Sequence, residues 1–209
     1  MLAIDHIVIA TKDPAQAAHD FERKHRVTTV QGGKHDNWGT YNYVAYFEND
    51  CYMEWIGIFD EGIAKKSTNP LIKQLVSAFH NKIEGIIQLA LRAEKMDNYI
   101  DHFDATGVKY AGPVPGSRKR PDGSTLQWQM LFPEPETALP FLIEWGEVKN
   151  IPQDERLVNK QHLRSITFGM KEIEVFKHIY QLDSCHHPVK LENGFLHLVG
   201  HEHLDFEIA

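Results

Sequence analysis

Tyr52-Met53-Glu54-Trp55-Ile56-Gly57 and Phe141-Leu142-Ile143-Glu144-Trp145-Gly146 are the stretches on which the reading of this chain turns. Each is an apolar run carrying a Glu-Trp pair, and each closes a similar series of elements. A carboxylate in a buried strand is costly unless it is paired or ligated. Two of them at matching places mark a repeat, which outranks any short motif as a guide to the fold.

Outward from these runs the same order of elements is read twice. Residues 3–10 are apolar and β-branched, a buried strand. Asp13-Pro14 opens a helix to about residue 25, Asp as cap and Pro in the first turn. Residues 27–30 read as a strand broken by Gly32-Gly33, and residues 34–40 as a polar loop. Strands follow at 40–47 and 51–58, so residues 1–60 make a β-α-β-β-β module. Asn69-Pro70 starts a helix to about residue 80, with Leu71, Leu75, Val76 and Phe79 on one face; the stretch 61–84 reads as a helical connector. The order restarts in residues 85–147: a strand at 86–93, a helix at 96–106 stopped by Gly107, and a strand at 108–111. A loop rich in Pro, Gly and Arg at 112–124 and strands at 125–132 and 139–145 complete it. After a polar linker at 148–160, residues 163–208 read as a trimmed third module of βαβ type. Residues 1–147 are thus one domain, with 148–209 packed on it.

Bulk properties narrow the function. The 209 residues carry 22 Lys+Arg against 29 Asp+Glu, a net charge of -7. An acidic surface repels phosphate backbones, so nucleic acid is not expected as a partner. Two cysteines, Cys51 and Cys185, do not make a disulfide scaffold. The N-terminus lacks a signal-peptide pattern, and no apolar run approaches a membrane span; no membrane partner and a cytoplasmic location are expected. His186, His187, His197, His201 and His203 crowd the C-terminal segment in no closed zinc spacing and read as surface. No phosphate loop or dinucleotide fingerprint is present.

The first strands align through their helices. His6 stands 15 residues before Phe21 and Gln88 stands 15 before Phe103, which makes Gln88 the counterpart of His6. Paired βαβββ modules with a polar residue on each first strand and a Glu on each last strand resemble the vicinal-oxygen-chelate superfamily. Residues 32–42, residues 116–123, Leu126-Gln127-Trp128 and the run 140–145 are similar to a bacterial glyoxalase-like subfamily, over the chain to about residue 180. The resemblance implies an α+β fold, with the paired modules forming a curved mixed sheet around a cleft and a partial third module at the C-terminus. It implies a divalent metal held by His6, Glu54, Gln88 and Glu144, a set similar to that of glyoxalase I. Such hard-to-borderline donors suit Zn²⁺, Ni²⁺, Co²⁺ or Mn²⁺. Dioxygenase or fosfomycin-type sites resemble a second His where this chain has Gln88, and are disfavoured.

The chemistry expected from this set is of lyase or isomerase type on a small oxygenated, anionic substrate. A metal would polarise vicinal oxygens, and Glu144 or Glu54 would shuttle a proton. Arg92, His35, Asn42, Arg118 and Trp128 are the expected substrate contacts. Plainer readings stand beside these. His6 could be a core histidine, and Gln88 a hydrogen-bonding group only. The two glutamates could pair with Arg92 or Arg118, which would neutralise cleft carboxylates. His35 and Asn42 could serve a local turn, and Trp128 the core or cleft wall. The alternative function is a non-catalytic protein that binds and sequesters a small molecule. The third module would either cap an open sheet edge or mediate a homodimer.

Overall fold

The computed structural model describes residues 1–120, 123–135, 139–182 and 187–209; Cys185, His186 and the Pro121-Asp122 pair of the expected loop lie outside them. In chain order the elements are β1 (Ala3–Ala10), α1 (Pro14–His25), β2 (Val30–His35), β3 (Thr40–Phe47), β4 (Cys51–Ile58), α2 (Glu61–Ala64) and α3 (Pro70–His80). They continue as β5 (Gly85–Arg92), α4 (Asp97–Thr106), β6 (Tyr110–Lys119), β7 (Thr125–Pro133) and β8 (Phe141–Trp145). The C-terminal part holds β9 (Val158–Asn159), β10 (Leu163–Gly169), α5 (Ile173–Ile179), β11 (Val189–Lys190), β12 (Phe195–Val199) and β13 (His203–Ile208).

Local chemistry sets the helix ends. Asp13 accepts from Gln16 N at 3.0 Å with Pro14 in the first turn, and Asn69 caps α3 by accepting from Leu71 N at 3.0 Å. Such caps satisfy donors that a helix start leaves open.

Among the described residues the large sheet runs β2-β3-β4-β1-β5-β8-β7-β6, with β9 joined to β3. The two first strands, β1 and β5, are antiparallel neighbours at its centre, and each lies parallel to the last strand of its own module. The sheet curls, so that its outer strands approach across the mouth: a Cβ added at Gly33 of β2 would sit 2.6 Å from Arg118 Cδ of β6.

Two strands are longer than the sequence reading allows. Gly32-Gly33 and the Arg-rich stretch were expected to interrupt the chain, yet β2 and β6 run through them. Each absorbs its glycines at a register shift, between Gln31 and Lys34 and between Ala111 and Val114. A bulge admits an extra residue without ending a ladder.

The connector helix α3 does not lie outside. Leu71, Ile72, Leu75 and Ala78 are buried against Val8, Ala10, Ala90, Met130, Phe132 and Phe141 on the concave face. The convex face packs on α1 and α4. Its apolar cluster continues through Leu163, Ile166, Phe168, Phe176 and Leu196 into the C-terminal part. There β10 and β12 are parallel, with α5 between them in sequence. Asn193 ties this part to β1: its Oδ1 accepts from Ile4 N at 2.8 Å and its Nδ2 donates to Ile4 O at 2.9 Å.

Candidate active site

One irregularity in β1 builds the site. Ile4 pairs with Leu91 and His6 with Ala90, so Asp5 is an extra residue without a partner on β5. Side chains of neighbouring residues normally point to opposite faces; at a bulge the strand is re-aimed. Asp5 and His6 can therefore meet: Asp5 Oδ1 accepts from His6 Nδ1 at 2.7 Å. The Asp5 carboxylate is 1% exposed and is held by two further donors, Trp145 Nε1 at 2.8 Å and Arg92 at 3.4 Å. A carboxylate behind an imidazole fixes its tautomer and ring orientation.

On its other side His6 faces Glu54, with Nε2 3.5 Å from Glu54 Oε2. The ring is stacked on Tyr52 at 4.5 Å. Glu54 is buried, and its Oε1 accepts from Asn42 Nδ2; Asn42 Oδ1 in turn accepts from Gly33 N at 2.5 Å. Asn42 thus ties the Glu54 carboxylate to β2. Burial holds the Tyr52 and Tyr46 hydroxyls protonated, raising both above the usual phenol range.

These groups line a small pocket of about 40 Å³ with His35, Trp38, Arg118, Trp128, Phe141, Ile143, Trp145 and Asn150. That is space for about one water molecule. It shares His35, Trp38, Arg118, Trp128 and Trp145 with an open groove of about 1020 Å³ between the β2–β3 and β6–β7 hairpins. The groove is large enough for the body of a small-molecule ligand. Trp128 wedges over Gly116, where an added Cβ would lie 2.2 Å from the indole; only glycine allows that approach.

Of the four expected ligands, His6 and Glu54 come together, and Gln88 and Glu144 stand elsewhere. Gln88 lies beneath α3, where its Nε2 donates to Leu139 O at 3.1 Å and its Oε1 accepts from Leu89 N at 2.9 Å. Glu144 borders the open groove but not the inner pocket, and its Oε2 accepts from Met96 N ahead of α4. The two Glu-Trp pairs face oppositely. Trp55 is buried beneath α1, 4.9 Å from Phe21, whereas Trp145 lines the cleft, 5.6 Å from Trp128. The positions that face His6 and Glu54 from the second module are apolar: Ala90 is in register with His6, Phe141 with Ala90, and Ile143 follows on the same face.

The donor chemistry therefore does not fit a closed four-ligand divalent centre. Among the described residues no three His, Cys, Asp or Glu side chains are placed to hold one metal ion, and two donors fall short of the usual three or four.

The expected substrate contacts divide. His35, Asn42, Arg118 and Trp128 gather at the pocket. Arg92 does not; it is an internal counter-ion, bonded to Asp50 Oδ2 at 2.8 Å and Asp5 at 3.4 Å. Burial lowers the His35 pKa; Glu54 opposes this and Arg118 adds to it.

Sequence reasoning missed three residues of the site. Asp5 is visible only as a break in an apolar run. Trp145 stands out in the sequence only as the companion of Glu144, and nothing in the run announces its own place in the cleft. Asn150 lies in the expected linker, yet its Oδ1 accepts from Arg118 at 2.9 Å and from the Tyr46 hydroxyl at 3.1 Å.

No helix among the described residues is long and apolar enough to cross a membrane. A family model described as a glyoxalase-like domain matches residues 4–182. No curated protein matches the chain. A hypothetical protein from Staphylococcus aureus superposes over 97% of this chain and 88% of its own, with TM-score 0.77 at 16% identity. Methylmalonyl-CoA epimerase from Mycobacterium tuberculosis matches 70% of this chain and 88% of its own, with TM-score 0.51 at 16% identity. At these identities the likeness concerns the fold, which is that of the vicinal-oxygen-chelate superfamily.

Proposed function

Because this chain belongs to the glyoxalase-like domain family, we propose that its cleft catalyses proton transfer, of lyase or isomerase type, on a small oxygenated and anionic substrate. The observation that carries the reading is the Asp5–His6–Glu54 array, a buried carboxylate facing an imidazole that a second carboxylate orients. A structural neighbour named as an epimerase agrees with this class of reaction.

Arg118 anchors a substrate carboxylate, since a guanidinium matches that group in shape and charge. The reacting carbon enters the inner pocket, and the body lies in the groove. Glu54 takes a proton from a carbon beside a carbonyl, and the C–H electron pair moves to the carbonyl oxygen. Where the deprotonated carbon bears a hydroxyl, the Glu54 carboxylic acid returns its proton to the former carbonyl carbon and the hydroxyl proton passes to the former carbonyl oxygen, giving the isomer with no other reagent. Asn42, which donates to Glu54 Oε1, holds that carboxylate toward the substrate, beside the His6 ring that Asp5 orients. Glu144 takes no part, because its carboxylate is spent on Met96 N. Zn²⁺, Ni²⁺, Co²⁺ or Mn²⁺ would meet only His6 and Glu54 among the four expected ligands.

The test is deuterium incorporation from D₂O, followed by proton NMR, across 2-hydroxy acids, 2-oxo acids, hemithioacetals and methylmalonyl thioesters. At least one should exchange the proton beside its carbonyl, and Glu54→Gln should slow that exchange by about 100-fold or more. Exchange by the variant at the wild-type rate refutes the role of Glu54. The apolar second half of the cleft, Ala90, Phe141 and Ile143, favours a second reading as a binding and sequestering protein. Ligand-induced thermal stabilisation without any exchange would select it.

A further inference from the structure

We infer that His35 is the hydrogen-bond donor that receives the substrate's polarised oxygen, which makes it a further catalytic residue of the cleft; this rests on the proton-transfer reading above. His35 ends β2, opposite Thr40 on β3. Its ring is stacked on Trp38 at 5.5 Å and meets Trp128 edge-on at 5.9 Å. Its orientation is therefore set by packing, not by polar partners. Its Nδ1 is buried with no hydrogen-bond partner. Native structures retain few such atoms, because an unsatisfied buried polar group destabilises the fold. The ring lines both the inner pocket and the open groove, so a substrate passing from one to the other meets it.

The surroundings decide which form the ring takes. The charged groups that act on it are Glu54, Arg118 and Asp36. Burial outweighs the two carboxylates and keeps the imidazole neutral, with Arg118 acting in the same direction. A neutral imidazole carries one N–H. Placed on Nδ1, that hydrogen is available to an oxygen entering the pocket. As Glu54 removes the proton, negative charge grows on that oxygen, and a donor fixed in advance stabilises it without rearrangement. His35 keeps its proton throughout.

Oxalate, a planar dianion with vicinal oxygens, serves as the probe of the charged intermediate. Its affinity is measured by calorimetry for the wild type and for His35→Phe, His35→Asn and Glu54→Gln. Asn places an amide N–H where the imidazole has Nδ1. His35→Phe should bind about 10- to 100-fold more weakly, the loss of one hydrogen bond to a charged acceptor. His35→Asn should stay within about threefold of the wild type, on the same hydrogen-bond argument. The ¹⁵N signals of His35 should report a neutral ring protonated at Nδ1 at pH 7, and Nδ1 should shift when oxalate is added. Equal binding by wild type and His35→Phe, or an Nδ1 signal indifferent to bound oxalate, overturns the assignment and leaves Glu54 untouched. Oxalate that fails to bind the wild type, together with absence of substrate exchange, overturns the proton-transfer reading and this inference with it.

Discussion

Leu75→Ala tests whether the helix between the two modules is an internal part of the curl. Leu75 is 0% exposed and belongs to the concave-face cluster with Val8, Ala10, Ala90 and Phe141. Truncation to Ala removes three methylene equivalents, about 2.4 kcal/mol at ~0.8 kcal/mol each. The strands around the site are fixed by ladders on both sides and collapse little, so the residual cavity adds up to about 1.5 kcal/mol. The expected loss is about 2.5–4 kcal/mol. For 209 residues the unfolding entropy is about 0.4 kcal/mol per kelvin, which turns that loss into a Tm decrease of about 6–9 °C. Urea unfolding followed by tryptophan fluorescence and by far-UV circular dichroism measures it, with coincident transitions as the check on two-state behaviour. A surface connector would lose under about 1 kcal/mol. A value in that range refutes the seating of the helix in the cleft and, with it, the shape of the inner pocket that Leu71 and Ile72 help to line.

Two further outcomes are expected. Arg92→Met leaves Asp5 buried with only His6 and Trp145 as donors; breaking a buried ion pair on one side should cost about 3 kcal/mol in urea unfolding. Arg92→Lys should recover less than half, because one ammonium cannot reproduce the fork to Asp5 and Asp50; full recovery by Lys would show that geometry is unimportant there. His35 has a folded pKa below the ordinary 6.5 because burial disfavours its charged form. Its contribution to stability is therefore complete above about pH 6.5 and is lost as pH falls through that value toward the lower folded one, where the unfolded chain binds more protons. The stability difference between wild type and His35→Phe should thus move in favour of the variant on acidification over that window; a difference independent of pH refutes the neutral buried ring.

Much of the architecture was legible because strand alternation reports facing directly. The His6, Val8, Ala10 face and the Tyr52, Glu54, Ile56 face are read from a period of two and stand on the concave side. The second half of the site was misread for the same physical reason. Glu54-Trp55 and Glu144-Trp145 were matched by identity, and in a strand a shift of one residue exchanges the two faces. Register on β8 is set by β5 and β7, where Ile143 pairs with Arg92 and Met130, and no feature of the run itself announces it. Gly32-Gly33 and Gly112 read as stops because glycine is common in turns, but a bulge uses the same freedom within a strand. Asn150 was hidden for a different reason: its partners, Tyr46 and Arg118, are distant in sequence.

The extra residue in β1 also changes the phase of the strand. Before it, Leu2 and Ile4 belong to the convex core; after it, His6 is turned to the cleft and Val8 to the concave core, while Ile7 belongs to the convex one. Ile4 meets the C-terminal part, where a Cβ added at Gly194 would lie 2.8 Å from its Cδ1. One strand thus serves two masters of opposite parity. A strand of the same sequence paired regularly, with no bulge, has to choose. With the histidine kept in the cleft, Ile4 swings off the face on which residues 193–194 dock; with Ile4 kept in place, the imidazole is carried out of the cleft. Attachment of the C-terminal part and presentation of the histidine are coupled by parity alone, across a strand of eight residues.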